Sequence, residues 1–150
     1  MIQRIQTVYL LGVLILVILC FFFPMAEFIT SSGQLDSYTM HGLTKATTGK
    51  NLSEIFSFLA GIVVGATLIS IFLYKKRKRQ MLACLTIIFI LVALNILIFI
   101  QIGQLKKELS MMVTYKLPFL FPLISAVLTF LAYRGIKKDD ELVKSYDRIR

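Results

Sequence analysis

The chain has 150 residues, 57% of which are hydrophobic, and a formal net charge of +9. The usual apolar share of a soluble domain is about 45–50%. The composition therefore excludes an ordinary soluble domain, because a chain of this length could not bury so much apolar surface. The length itself favours a single domain.

Four hydrophobic blocks contain no acidic or basic residue. They span 8–26, 55–74, 81–102 and 117–133. A helix needs about 20 residues to cross the hydrocarbon core of a bilayer. The first three blocks meet this length and the fourth lies at the short end of the range. We predict an all-α fold, a four-helix transmembrane bundle, whose first helix is kept as an uncleaved anchor because no small-x-small cleavage site follows it.

Five consecutive basic residues separate the second block from the third: Lys75, Lys76, Arg77, Lys78 and Arg79. Such a cluster holds a short loop on the cytoplasmic side of a membrane. The predicted topology follows from it, with both termini cytoplasmic. The segments are a cytoplasmic loop at 75–80, outer loops at 27–54 and 103–116, and a cytoplasmic tail at 134–150.

The remaining charges agree with this topology. It places twelve of the 17 basic residues and four of the eight acidic residues inside, for a charge of +8 inside and +1 outside. The basic run could also bind anionic lipid head groups, at about 1 kcal/mol per residue near the surface. The loop is too short to wrap nucleic acid, so no nucleic-acid partner is predicted.

Small and polar residues inside the spans predict helix packing. Ser57, Gly61 and Gly65 recur every four residues, which lets a second helix backbone approach closely, either in the same chain or in a partner. Asn95 is the most polar side chain deep in a span, so it should face protein. An interhelical hydrogen bond is the plain interpretation, and a substrate or ion site is the alternative.

The two cysteines and the single histidine carry no predicted chemistry. The topology places Cys20 and Cys84 at different depths, so both are predicted to be free, buried thiols rather than a disulfide. His41 lacks a second ligand nearby in sequence and is interpreted as a loop residue. The surrounding segment, 34–44, alternates loosely and could form a short extended hairpin.

The tail is predicted to be a cytoplasmic amphipathic helix. Its apolar face is formed by Leu142, Val143, Tyr146 and Ile149. This helix could lie on the head groups, pack under the bundle or dock a partner. Its acidic residues have basic neighbours for pairing. The N-terminal segment is expected to pack against it, where Arg4 could pair with Asp147.

The opening MIQRIQTVYLL and the closing YRGIKKDDELVKSYDRIR resemble the two ends of a bacterial membrane family, domain of unknown function 4293. The resemblance covers the whole chain. It implies a small four-helix protein of the Gram-negative inner membrane. The family has no established activity, so the resemblance implies no catalytic or binding residues.

No catalytic motif, metal-ligand spacing or cofactor signature stands out. No carboxylate lies inside a span to couple proton movement. We therefore predict a non-enzymatic inner-membrane subunit, or a docking or assembly factor, with membrane lipids and another membrane or cytoplasmic protein as partners. The alternative is a small homo-oligomeric transporter or channel built on the Ser57, Gly61 and Gly65 face.

Overall fold

The computed structural model describes residues 3–29, 35–43, 50–109 and 112–148. It describes side chains at 5–29, 35–43, 54–74, 76–107, 112–143 and 145. Statements about contacts and about absences refer to these residues.

Four long helices make up most of the described chain: α1 (Gln3–Phe22), α2 (Lys50–Phe72), α3 (Arg77–Leu109) and α4 (Phe121–Arg148). Four segments are long and apolar enough to span a membrane; three lie within α1, α2 and α3, and the fourth begins four residues before α4 and continues into it. These segments are Ile5–Phe22, Glu54–Phe72, Arg77–Lys107 and Leu117–Val143. The 33 residues of α3 extend about 50 Å at about 1.5 Å per residue, longer than the hydrocarbon core of about 30 Å.

The helices form a closed ring in which each packs against its two neighbours. α2 packs between α1 and α3, and α4 packs between α3 and α1. Leu10, Val13, Ile87 and Leu91 are at most 1% exposed and lie in the middle of this packing. Apolar side chains thus fill the interior of the bundle.

A small antiparallel sheet covers one end of the bundle, which we call the sheet end. Its strands are β1 (Ala26–Ile29), β2 (Leu35–Thr39), β3 (Gly42–Leu43) and β4 (Met112–Tyr115), in the order β3-β2-β1-β4. The register pairs Ala26 with Tyr38 on one side and with Tyr115 on the other.

The alternation of side chains along the strands explains how the sheet packs. Ala26 and Phe28 on β1 are fully buried, whereas Ile29 is exposed. Ala26 and Phe28 belong to the same core cluster as Phe56 of α2 and Ile102 of α3. The sheet is therefore amphipathic, with one face closing the bundle.

The sheet corrects the all-α prediction. The predicted outer loops contain strands, and residues 103–109 continue α3. Part of the expected hairpin is present, because β2 and β3 pair around a turn at Met40 and His41. The wider sheet was not predictable from local pattern, since β1 and β4 come from connections more than 80 residues apart.

The tail is not a separate helix. It continues α4 without interruption from Phe121 to Arg148. A 3-10 turn, Leu117–Leu120, precedes α4, and the N–H of Phe121 donates to the Pro118 carbonyl. That bond compensates for Pro122, which cannot supply the usual donor one turn later.

Both cysteines are free and buried, as predicted. The Cys20 thiol lies 4.0 Å from the Pro118 carbonyl, and the Cys84 thiol lies 3.8 Å from the Ser70 hydroxyl. They belong to different core clusters.

Gly42 should be sensitive to substitution because its φ is 100°, in the left-handed region. We expect Gly42→Ala to lower the free energy of unfolding by about 1–2 kcal/mol, since a Cβ there is strained. Thermal unfolding in detergent would measure the loss. Gly61→Ala is the matched control, because a Cβ at Gly61 meets nothing within 4 Å. Equal behaviour of the two variants would contradict the strain argument.

Tyr38 should make stability fall at alkaline pH. Burial raises its pKa from 10.0 to about 12, and its hydroxyl has no hydrogen-bond partner among the described residues. The unfolded chain loses the proton near pH 10 while the folded chain keeps it, so ionisation favours unfolding. Stability should therefore drop by up to about 3 kcal/mol between pH 10 and 12.

Tyr38→Phe is the matched comparison for this pH dependence. It removes the ionisable group and the unsatisfied hydroxyl while keeping the ring that meets Phe28 edge-on. We expect equal or higher stability at pH 7 and a smaller loss above pH 10, measured by thermal unfolding across pH. An identical alkaline loss in both proteins would show that other groups cause it.

Candidate functional site at the hairpin end

The end of the bundle opposite the sheet contains a cavity of about 430 Å³, with polar side chains set among apolar walls. We call this end the hairpin end, because α2 and α3 are joined there through a 3-10 turn, Leu73–Lys75. All four helices contribute to the cavity. Its walls are formed by Gln6, Thr7, Val8, Ile71, Phe72, Tyr74, Arg77, Gln80, Ile136 and Asp139.

Asp139 is the buried carboxylate of this site. It is 9% exposed, and its Oδ2 accepts a hydrogen bond from Nε2 of Gln6 at 2.8 Å. Within the described side chains, no basic group lies within 4.0 Å of its carboxylate. A carboxylate can accept about four hydrogen bonds, so Asp139 retains unused acceptor capacity at the cavity wall.

Close packing between α1 and α4 brings Gln6 to Asp139. The two helices run antiparallel, so the start of α1 lies beside the last turns of α4. Gly135 lies one turn before Asp139, where a Cβ would come within 3.1 Å of the Gln6 Cγ. The absence of a side chain at Gly135 thus provides the space in which Gln6 lies.

The first turns of α3 supply Arg77 and Gln80. These positions are three residues apart and therefore share a helix face. Arg77 is half-buried, and it forms no ion pair with any described carboxylate. Gln80 is 5% exposed, and no hydrogen bond of its side chain is found among the described residues. Of the five-residue basic run, Lys76, Lys78 and Arg79 are exposed, so Arg77 has a distinct position.

The arrangement is suited to binding. The cavity brings one cation, one carboxylate and two buried amides together against apolar walls. No group of three His, Cys, Asp or Glu side chains that could hold a metal occurs in the part of the chain that the structure describes. The charged groups and the apolar walls together suit a ligand that carries opposite charges and an apolar portion.

The predicted small-residue face has two parts with different roles. Ser57 donates to the Met40 carbonyl at 3.0 Å and lies 3.3 Å from Nδ1 of His41, so it joins α2 to the β2–β3 turn. A Cβ added at Gly61 or Gly65 would meet no described atom within 4 Å, so both glycines lie on an open face of α2. The described chain therefore does not use these glycines for close packing.

Asn95 bonds to the start of the fourth helix. Its Nδ2 donates to the Phe119 carbonyl at 3.0 Å. Pro122 has no N–H and cannot be the i+3 donor to that carbonyl. The side chain of Asn95 thus joins α3 to the turn before α4.

The predicted docking face of the tail is described only in part. Leu142 and Val143 are 42% and 41% exposed, whereas Tyr146 and Ile149 lie outside the described side chains. The suggested pair of Arg4 and Asp147 also falls outside them. Asp139 was expected to be satisfied by nearby basic residues; among the described side chains its partner is instead Gln6 on α1.

Sequence reasoning did not identify Gln6, Gln80 and Asp139 as a group. Gln6 precedes an apolar block, Gln80 follows the basic run, and Asp139 is one of four acidic residues in the tail. None of these contexts indicates a shared site. The one available signal was the i, i+3 spacing of Arg77 and Gln80, which predicts a common helix face but not a cavity.

The bond between Gln6 and Asp139 should contribute to stability. Gln6→Leu leaves the buried carboxylate without its donor, so we expect the free energy of unfolding to fall by about 1–3 kcal/mol. Gln6→Leu combined with Asp139→Leu should recover part of the loss, since neither polar group then remains unsatisfied. Thermal unfolding of the single and double variants would measure this coupling.

Gln104→Leu is the control for the glutamine change, because Gln104 is exposed on α3. It should leave the unfolding temperature nearly unchanged. Losses from Gln6→Leu and Asp139→Leu that simply add would show that the bond makes no net contribution.

Comparison with known proteins supplies a family and no activity. No curated protein and no solved structure is similar enough to this chain to be matched. The family described as a domain of unknown function, DUF4293, matches residues 2–149, which is nearly the whole chain. This chain is a member of the DUF4293 family.

Proposed function

We propose that this protein is a small non-enzymatic inner-membrane protein that acts as a subunit, or as a docking or assembly factor, of a membrane complex. The observation that carries the proposal is the packed interior of the bundle. Val17, Val63, Leu94 and Ile98 are at most 2% exposed, and they continue the apolar packing from the hairpin end toward the sheet. Such an interior favours function on the outer surfaces and ends of the protein.

The polar groups within the spans support the same proposal. Thr67 and Thr129 bond to carbonyls one turn earlier in their own helices, at 2.7 Å each. Asn95 bonds to the Phe119 carbonyl. These groups are used for local structure, which makes them poor candidates for a transport pathway and weakens the transporter alternative.

The proposed orientation places the hairpin end in the cytoplasm. The basic residues Lys76, Arg77, Lys78 and Arg79 lie there, and basic residues are retained on the cytoplasmic side. The end of α4 lies at the same end, with Leu142 and Val143 exposed for contact with a partner or the head groups. The sheet would then face the opposite side of the membrane.

The outer face of α2 is the surface where we expect a neighbouring membrane helix. Gly61 and Gly65 form its centre, and the exposed Phe58, Ile62 and Ile69 surround them. Glycine is a poor helix former, and no contact among the described residues requires it here. Small residues allow close approach of helix backbones between membrane proteins.

The proposal predicts a complex that depends on this face. Gentle purification from native membranes, followed by crosslinking and mass spectrometry, should yield a stoichiometric partner. Gly61→Leu combined with Gly65→Leu should remove most of that partner, at least about tenfold, because the added side chains separate the helices. The same variant should stay folded, because a Cβ at either position meets no described atom of the chain within 4 Å.

Gly103→Leu is the matched control, as it changes a helical glycine on α3 whose Cβ would also meet nothing within 4 Å. It should retain the partner. Retention in all variants would exclude the α2 face as the interface. A wild-type protein recovered only as a monomer or homodimer would contradict the subunit proposal and favour flux assays in liposomes.

A further inference from the structure

We propose that the cavity at the hairpin end binds a phospholipid whose head group carries both a phosphate and a primary ammonium, that is, phosphatidylethanolamine. Asp139 would accept the ammonium and Arg77 would bind the phosphate. This site is independent of the proposed function, because it requires no protein partner.

The burial and hydrogen bonding of Asp139 indicate a cationic group in the ligand. The side chain is more than nine-tenths buried, yet its one hydrogen bond within the described residues comes from the neutral amide of Gln6. A buried carboxylate without a cation is costly, because its interaction with water is lost. An ammonium in the cavity would offset that cost and would use the acceptor capacity that Gln6 leaves free.

Arg77 indicates an anionic group in the same ligand. Arg77 lines the cavity, and its guanidinium has no carboxylate partner among the described side chains. Guanidinium groups bind phosphate through two parallel hydrogen bonds. The buried amide of Gln80 lines the same cavity and can donate to a phosphate or ester oxygen. A purely anionic head group fits less well, because Asp139 would repel it.

The apolar part of the cavity indicates a lipid rather than a soluble zwitterion. Val8 of α1 and Phe72 of α2 line it and are 64% and 76% exposed, so apolar side chains at its rim face away from the protein. Phe72 ends one apolar span and Arg77 begins the next, so the cavity lies where the apolar segments give way to charge. In a bilayer this is the depth of the head groups.

The test compares lipids that differ in one feature. Native mass spectrometry of the purified full-length protein would use an equimolar mixture of phosphatidylethanolamine, phosphatidylcholine and phosphatidylglycerol with the same acyl chains. We expect phosphatidylethanolamine to be retained about tenfold over phosphatidylcholine, which has the same net charge but no N–H donor. Phosphatidylglycerol should also be retained less. Equal retention of phosphatidylethanolamine and phosphatidylcholine would overturn the proposal.

Variants separate the two halves of the site. Asp139→Asn should reduce the preference for phosphatidylethanolamine over phosphatidylcholine to about one. Arg77→Gln should lower retention of both lipids severalfold. The matched controls are Glu141→Gln, an exposed carboxylate on α4, and Arg79→Gln, an exposed guanidinium on α3. Neither lines the cavity, and both should keep the wild-type pattern. Controls that change retention as much as the site variants would overturn the proposal.

Two further measurements keep the test decisive. Val8→Trp adds bulk at an exposed position of the cavity rim, so it should reduce lipid retention without unfolding the protein even if Asp139→Asn is unstable. Unchanged retention in folded Val8→Trp would overturn the assignment to this cavity. An excess of soluble O-phosphoethanolamine should not displace the lipid. Displacement would show that a soluble zwitterion is the ligand and would overturn the lipid assignment.

Discussion

Antiparallel packing of the first helix against the last is the contact on which the rest of the structure depends. This contact closes the ring of four helices. It also places the start of α1 beside the last turns of α4. Gly135 allows the close approach, and Gln6 bonds to Asp139 across it. The cavity at the hairpin end exists because this contact is made there, while α2 and α3 turn at the same level.

The sheet closes the opposite end by a different means. Two connections far apart in sequence supply neighbouring strands, and Lys116 pairs with Glu27 at 2.9 Å beside them. The backbone groups of a connection must be hydrogen-bonded where water is scarce. The pairing of β1 with both β2 and β4 supplies hydrogen bonds to these backbone groups. The same sheet covers the ends of α2 and α3.

The two ends therefore differ in chemistry although both close the same bundle. The sheet end is sealed by apolar side chains such as Phe28 and Met40. The hairpin end leaves a cavity with Asp139 and Arg77 at its wall. Because the interior between them is packed, we propose the hairpin end and the outer face of α2 as the binding surfaces. A membrane subunit that also holds a specific lipid would use both.

Local properties of the sequence were enough to predict the four apolar helices and the two free thiols. Long charge-free blocks can satisfy their backbone in lipid only as helices, so composition and block length were sufficient. The sequence also indicated that Asn95 faces protein, because an amide is costly in hydrocarbon. These inferences depend on local properties of the chain, which is why they needed no tertiary information.

Which polar residues meet depends on how the helices pack, and local pattern does not show it. Gln6 and Asp139 are separated by 133 positions, and their partnership depends on the order in which the helices surround the core. The four-stranded sheet likewise requires β1 and β4 to be brought together by α1 and α3. Gly61 and Gly65 show the converse, since their spacing predicts close packing but the folded chain leaves them facing outward. Helical spacing determines which residues share a face, and only the packed bundle determines what that face contacts.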